Sequence, residues 1–82
     1  MKVILVENLL SGGIVGIYST LEKAKIIVIK EEQKFLEDNT LPKIVVDDIK
    51  EEIENAKKAN KIEELNDIFE DEFWIREVEV DK

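Results

Sequence analysis

The stretch IVGIYSTLEKAKIIV, residues 14–28, predicts a strand that leads directly into a helix, and the rest of the fold is built around it. Its first five residues are mostly β-branched or aromatic, and such side chains pack well on a pleated sheet. Gly12 and Gly13 stand just before them and indicate a turn. We therefore expect a strand over Ile14–Tyr18, preceded by a hairpin loop.

The start of the helix is marked by Ser19 and Glu22, whose spacing is that of a capping box. In this motif the serine oxygen accepts a hydrogen bond from a free backbone amide, and the glutamate reaches back to the cap. The helix should therefore begin at Thr20 or Leu21. Apolar residues at helical spacing extend it to about Asp38.

Four consecutive apolar residues, Ile26–Ile29, lie within this helix. Their side chains point almost all the way round it, so a single covered side would leave some of them in water. We expect the sheet to cover one side. A later part of the chain, or another chain, should cover a second side.

Two further strands complete the expected sheet. Lys2–Glu7 contains four consecutive apolar residues, which predicts a central strand. Phe73–Val80 has one face that starts apolar and ends charged, as in an edge strand whose acidic end is wet. The expected order places the first strand between the other two, with the first helix in a right-handed crossover.

The middle of the chain predicts further helix. Pro42 ends the first helix, and Lys43–Val46 is expected to form a short extended piece. Asp48 is a plausible N-cap, and apolar residues then recur every three or four positions over Ile49–Asp71. This pattern fits one helix or two helices broken near Asn60, and the sequence does not choose between them.

These elements predict a single domain over residues 1–82 of the α+β class. The predicted architecture is a three-stranded, mainly antiparallel sheet with a ββαβ core. An additional acidic helical segment precedes the last strand and packs over the apolar run of the first helix.

Three motifs stand in order before the closing strand: KVILVE at residues 2–7, Tyr18-Ser19-Thr20, and Glu22-Lys23-Ala24. In these motifs the chain resembles small uncharacterised phage and prophage proteins. The resemblance covers about the first 30 residues and the last 10, and leaves out Leu41–Glu72. It implies a ββαβ core and a phage-related origin. No catalytic or binding residues come with it, because that family has no assigned activity.

The chain carries a formal net charge of −8, from 20 acidic and 12 basic residues. Most of the excess lies in Asp47–Glu72, where eleven acids and four lysines give −7. Without a basic patch to neutralise phosphates, direct binding to nucleic acid is not expected. The apolar runs are too short for a membrane span or a signal peptide, which predicts a soluble protein of the cytoplasm, or of the host cytoplasm if phage-encoded.

The chemistry available to the chain is narrow, since it contains no histidine and no cysteine. The commonest general base, the thiol nucleophile and the soft metal ligands are therefore missing. Gly12, Gly13 and Gly16 precede a strand rather than a helix, unlike the glycines of a phosphate-binding loop. Carboxylates remain as ligands for hard metal ions, but their spacing does not match a calcium-binding loop. We predict no enzyme, no catalytic residue, no metal site and no cofactor.

A partner-binding surface is predicted in the acidic segment, because Ile62–Glu72 contains six acids and no base. Like charges one helical turn apart repel each other, so a sequence that keeps them has a use for them. The predicted site, called the acidic surface below, consists of Glu63, Glu64, Asp67, Glu70 and Asp71.

The hypothesis for the acidic surface is that it mimics nucleic acid. Carboxylates one turn apart are comparable in spacing to phosphates, so the protein partner would be a basic nucleic-acid-binding enzyme, such as a host defence nuclease. The alternative for these acids is solubility alone.

A second hypothesis is a structural or assembly module that acts through homo-oligomerisation, with a homodimer as the simplest form, motivated by the apolar surface at Ile26–Ile29. A domain of this size buries only a modest core, so dimerisation would stabilise it. Tyr18 and Trp74 have a polar atom on an apolar ring and are suited to interfaces, but we expect both in the core.

Overall fold

A computed structural model describes residues 1–80 of the chain. It confirms the α+β class, with one sheet of three antiparallel strands and three helices. The elements are β1 (Lys2–Asn8), β2 (Gly13–Tyr18), α1 (Leu21–Phe35), α2 (Lys43–Lys58), α3 (Ile62–Ile68) and β3 (Phe73–Glu79). Within residues 1–80, none of the helices has the length and apolar character needed to cross a membrane.

The sheet has the predicted order β2-β1-β3, with β1 antiparallel to both neighbours. Val6 on β1 pairs with Gly16 on β2 and with Ile75 on β3. Because strand side chains alternate between faces, Ile4 and Val6 share one face of the sheet, while Val3 and Leu5 share the other. The pairing of β1 with β2 shifts just after Val6, as at a β-bulge.

All three helices contribute to a core on the face of the sheet that carries Val6. Buried side chains from the helices and from β1 and β3 form one cluster there. Its members are Ile4, Val6, Ala24, Val28, Ala56, Ala59, Leu65, Phe69, Phe73 and Ile75. The shortest extent of the molecule is 17 Å, which suits one helical layer on one sheet.

The apolar run of α1 is covered much as predicted, since this helix packs against β1 and β2 and also against α2. Val28 is fully buried, and Ile27 and Ile29 are partly buried against the core. Ile26 is the exception, with 64% of its surface exposed.

The N-cap of α1 is Thr20 rather than the predicted Ser19. Thr20 Oγ1 accepts a hydrogen bond from the backbone N–H of Lys23 at 3.2 Å. The helix still begins at Leu21, but it ends at Phe35 instead of near Asp38. Asp38 instead accepts hydrogen bonds from the backbone and side chain of Thr40, which forms a turn before the next helix.

The second helix begins at Lys43, so the predicted extended piece Lys43–Val46 is wrong. Proline is suited to a helix start because its fixed φ matches the helix and it has no N–H to leave unpaired. Here Pro42 is the N-cap, and its carbonyl accepts from the N–H groups of Val45 and Val46. Asp48, the predicted cap, lies inside α2.

The choice between one helix and two is settled by a break after Lys58. Lys25 of α1 lies at this break with only 6% of its surface exposed. Its ammonium donates hydrogen bonds to the carbonyls of Lys57 at 3.0 Å and Ala59 at 2.7 Å. A cation at a helix C-terminus donates to free carbonyls and interacts favourably with the negative end of the helix dipole. Lys25 of α1 therefore caps the C-terminus of α2.

The two aromatic residues expected in the core have different positions. Tyr18 is partly buried against the core cluster. Trp74 is 46% exposed, so its predicted place in the core is wrong. It pairs with Glu7 on the face of the sheet opposite the helices, where strand alternation puts it.

Candidate functional site

The acidic surface is exposed at all five of its residues, but it is not one helical face. Glu63, Glu64 and Asp67 lie on α3, whereas Glu70 and Asp71 lie in the turn that follows. Within residues 1–80, none of the five forms an ion pair with a lysine or arginine. Glu63, Glu70 and Asp71 border three different clefts, so the row of carboxylates is interrupted.

The face of the sheet opposite the core is apolar and has no helix of residues 1–80 over it, and we call it the open face. Its apolar residues are Val3, Leu5, Ile14, Ile17, Trp74, Val78 and Val80. Five of them, Val3, Leu5, Ile17, Val78 and Val80, line a cavity of about 340 Å³. Ile14 and Ile17 are 65% and 63% exposed, although isoleucine is among the residues most often buried. Sequence reasoning missed this surface because it interpreted the apolar residues on both faces of β1 only as the sign of a central strand.

The open face carries two charged residues, Glu7 and Arg76, and they are paired. The guanidinium of Arg76 donates a hydrogen bond to Glu7 Oε1 at 2.8 Å. It also lies over the Trp74 ring, 4.1 Å from the centroid, in a cation–π contact. The two charges cancel, so the open face is neutral in a strongly acidic protein.

A second unusual feature lies within the helical layer, where three carboxylates meet. We call Glu32 of α1, Glu52 of α2 and Glu72 of the turn before β3 the carboxylate cluster. One oxygen from each residue lies within 4.8 Å of the others. Glu32 is fully buried, and Glu52 and Glu72 are partly buried.

The carboxylate cluster lacks hydrogen-bond donors. As ionised carboxylates, the three residues have no donor for either oxygen of Glu32 or for one buried oxygen each of Glu52 and Glu72 in the described chain. Burial raises the pKa of Glu32 to about 9, with further contributions from hydrogen bonding to Glu72 and from the charges of Glu72 and Glu52. Burial, together with the charges of Glu72 and Asp48, also raises the pKa of Glu52. A neutral Glu32 can donate a hydrogen bond to Glu72, whereas a charged Glu32 has no donor to accept from in the cluster.

A cavity of about 410 Å³ connects the cluster with solvent. The apolar part of its lining comes from the β1–β2 loop, the end of α1, the connection between α1 and α2, and the start of α2. The apolar residues are Leu10, Phe35, Leu41, Val45 and Ile49. Asp48 and Asp71 line the same cavity, so five acids face one space.

The sequence contains a signal for the cluster that was not recognised. Ala24, Val28 and Glu32 follow one another at intervals of four residues, so Glu32 continues the buried row of α1. Sequence reasoning did not single out Glu32, and it predicted no metal site. Glu72 was counted only as part of the acidic segment.

No family model matches the chain, and no curated protein or solved structure is significantly similar to it. The resemblance to phage proteins therefore stays a prediction.

Proposed function

We propose that this chain is a non-enzymatic protein-binding module whose partner is a second copy of itself, bound through the open face. The observation that carries the proposal is the apolar side of the sheet that no helix of residues 1–80 covers. Antiparallel sheets often leave one face to water, but that face is then usually polar. Here it is apolar, and such patches mark interaction sites.

Burial of the open face would be favourable. Each Å² of apolar surface removed from water contributes about 25 cal/mol, before the cost of association is subtracted. A standard interface covers about 800 Å² per protomer, which is roughly one-seventh of the 5689 Å² accessible surface of this chain. Two such faces would pack as the sheets of a β-sandwich do, about 10 Å apart.

The distribution of charge favours a second copy as the partner. Two molecules of net charge −8 repel each other wherever their acidic segments approach. On the open face the charges of Glu7 and Arg76 cancel, and the acidic helices lie on the opposite side of the sheet. Association through the open faces therefore keeps the two acidic segments apart.

The test compares two isoleucines of nearly equal exposure, Ile17 on the open face at 63% and Ile26 on α1 at 64%. The masses of wild type, Ile17→Lys and Ile26→Lys are measured by sedimentation equilibrium. We expect wild type and Ile26→Lys to be dimers and Ile17→Lys to be a monomer. Both positions are exposed, so neither variant should unfold.

A monomeric wild type at about 100 μM would contradict the proposal, because that concentration far exceeds the Kd of most specific dimers. A dimer that Ile26→Lys dissociates and Ile17→Lys leaves intact would instead place the interface on α1. That result would support the apolar run Ile26–Ile29 as the contact.

A second candidate function concerns the acidic surface. Its five exposed carboxylates have no basic partner in the described chain, so they are available to a cationic protein. In this proposal the chain is a phage-encoded inhibitor that occupies the basic groove of a nucleic-acid-binding enzyme in the host cytoplasm. The interruption of the row after α3 favours a few local contacts over a long imitation of a duplex.

This second function is tested by reversing four charges, with lysine at positions 63, 64, 67 and 71. Wild type should capture a basic nucleic-acid-binding enzyme from host lysate at low salt, and the variant should not. Capture of the same enzyme by both proteins would exclude the acidic surface as the contact.

A further inference from the structure

The three residues of the carboxylate cluster come from distant parts of the sequence and converge on one point. Glu32 and Glu52 project from two packed helices, and Glu72 comes from the turn before β3. Oxygen ligands bind Ca²⁺ and Mg²⁺ at about 2.0–2.6 Å, so two ligands on opposite sides of an ion are about 4–5 Å apart. The 4.8 Å limit on the separations in the cluster matches this geometry.

The burial of Glu32 is the independent observation that points to a ligand. Its side chain has no exposed surface, no donor of the described chain reaches its two oxygens, and it faces the cavity. Such a carboxyl is either protonated or, in its charged form, held by a cation or a metal ion. No lysine or arginine of residues 1–80 forms an ion pair with any member of the cluster.

The cavity provides a further negative charge, a low local dielectric and room for water ligands. Asp48 lines it and adds a further negative charge close to Glu52. The apolar part of the lining lowers the local dielectric, which strengthens the attraction between a cation and the carboxylates. A volume of about 410 Å³ leaves room for an ion and several water ligands, at about 30 Å³ for each water.

We propose that Glu32, Glu52 and Glu72 bind one hard divalent cation, with Asp48 in its outer shell. The ligands are carboxylates alone, and the chain has neither histidine nor cysteine, so the donor set selects Ca²⁺, Mg²⁺ or Mn²⁺ over softer metals. The cation joins α1, α2 and the turn before β3, and it therefore stabilises the helical layer. The site lies away from the open face and does not depend on dimerisation.

The test measures thermal unfolding of the full chain after EDTA treatment, with CaCl₂, MgCl₂ or MnCl₂ added separately up to about 10 mM. A ligand that binds only the folded state raises the melting temperature by mass action. We expect at least one of the three cations to raise it by about 4 °C or more. Titration calorimetry with that cation should give one site per chain.

Three variants identify the ligands. Glu52→Gln should weaken binding at least about 10-fold, because one charged ligand is lost. Glu32→Gln should abolish the thermal shift. The matched control is Glu51→Gln on the same helix, which removes one exposed acid that forms no ion pair in the described chain and should bind the cation like wild type.

The melting temperature in EDTA distinguishes loss of cation binding from loss of the fold. In EDTA, Glu32→Gln should melt at or above the temperature of wild type, since an amide removes the buried acid without changing its shape. The proposal is overturned if none of the three cations shifts the wild type. It is also overturned if Glu51→Gln loses as much affinity as Glu52→Gln, or if an alkylamine such as butylamine stabilises the protein and the metals do not.

Discussion

At the scale of the residue, Glu32 couples the stability of the protein to pH. Burial and the neighbouring carboxyls of Glu52 and Glu72 raise its pKa from 4.5 to about 9. Between these two values the folded chain holds a proton that the unfolded chain has lost. The free energy of unfolding therefore falls as the pH rises through this interval.

We expect the metal-free protein to be most stable against urea near pH 5 and to lose stability steadily towards pH 8.5 or so. The groups that face Glu32 across the cavity are Glu52, Glu72, Asp48 and Asp71, and the raised pKa of Glu52 acts in the same direction. Glu32→Gln should show a much flatter profile in EDTA. Parallel profiles for the two proteins would mean that Glu32 is already charged at neutral pH.

At the scale of the element, the end of α2 depends on one side chain from another helix. Lys25→Met keeps much of the length and apolar character of the side chain but removes the donor to the carbonyls of Lys57 and Ala59. Leaving buried carbonyls unpaired costs about 1–3 kcal/mol, so unfolding in urea should require that much less free energy. The control is Lys30→Met, an exposed lysine of α1 with no ion pair in residues 1–80, which should change stability by less than about 0.5 kcal/mol.

The outer edge of β3 is covered in a similar way by Asn66 of α3. Its side chain donates to the carbonyl of Ile75 at 2.6 Å and accepts from the N–H of Ile75 at 2.8 Å. These groups point away from β1 and would otherwise be free to pair with another strand. The side chain of Asn66 thus makes the two hydrogen bonds that the backbone of a fourth strand would make to Ile75.

Asn66→Asp keeps the acceptor for the N–H of Ile75 but places a second acceptor against its carbonyl. We expect a loss of about 1–3 kcal/mol at neutral pH, measured by urea unfolding. Asn55→Asp on an exposed part of α2 is the control for the added charge. Equal effects of the two substitutions would show that charge, and not the edge of β3, is responsible.

The elements that the sequence predicted well are those with local signals. The hairpin, the start of α1 and β3 follow from turn glycines, a cap and strand alternation, all within a few residues. The start of α2 was misplaced because Pro42 was interpreted only as a stop, although proline is equally favourable at a helix start. The carboxylate cluster was missed because it depends on how α1, α2 and the turn before β3 pack, and spacing within one segment does not report that.

At the scale of the whole molecule, the sheet divides the protein into a neutral apolar side and an acidic helical side. This division gives the two proposed functions opposite responses to salt. Salt screens the repulsion between two chains of net charge −8, so dimerisation through the open face should strengthen as NaCl rises. Capture of a basic enzyme by the acidic surface should weaken over the same range.

The measurement is the dimer Kd by sedimentation at about 20 mM and about 300 mM NaCl, where the Debye length falls severalfold. We expect the Kd to decrease at the higher concentration. An increase would indicate that the two chains meet through opposite charges, and it would argue against the neutral open face as the interface.

The stacking of Arg76 on Trp74 also has an optical consequence. Trp74 is the only tryptophan of the chain, and it is half-exposed on the open face beneath the guanidinium. Indole emission shifts to shorter wavelength when water leaves the ring, so fluorescence reports whether this face is covered. Trp74 is therefore an intrinsic fluorophore at the proposed interface. Its emission wavelength, recorded while the protein is diluted, follows dissociation of the dimer without any label.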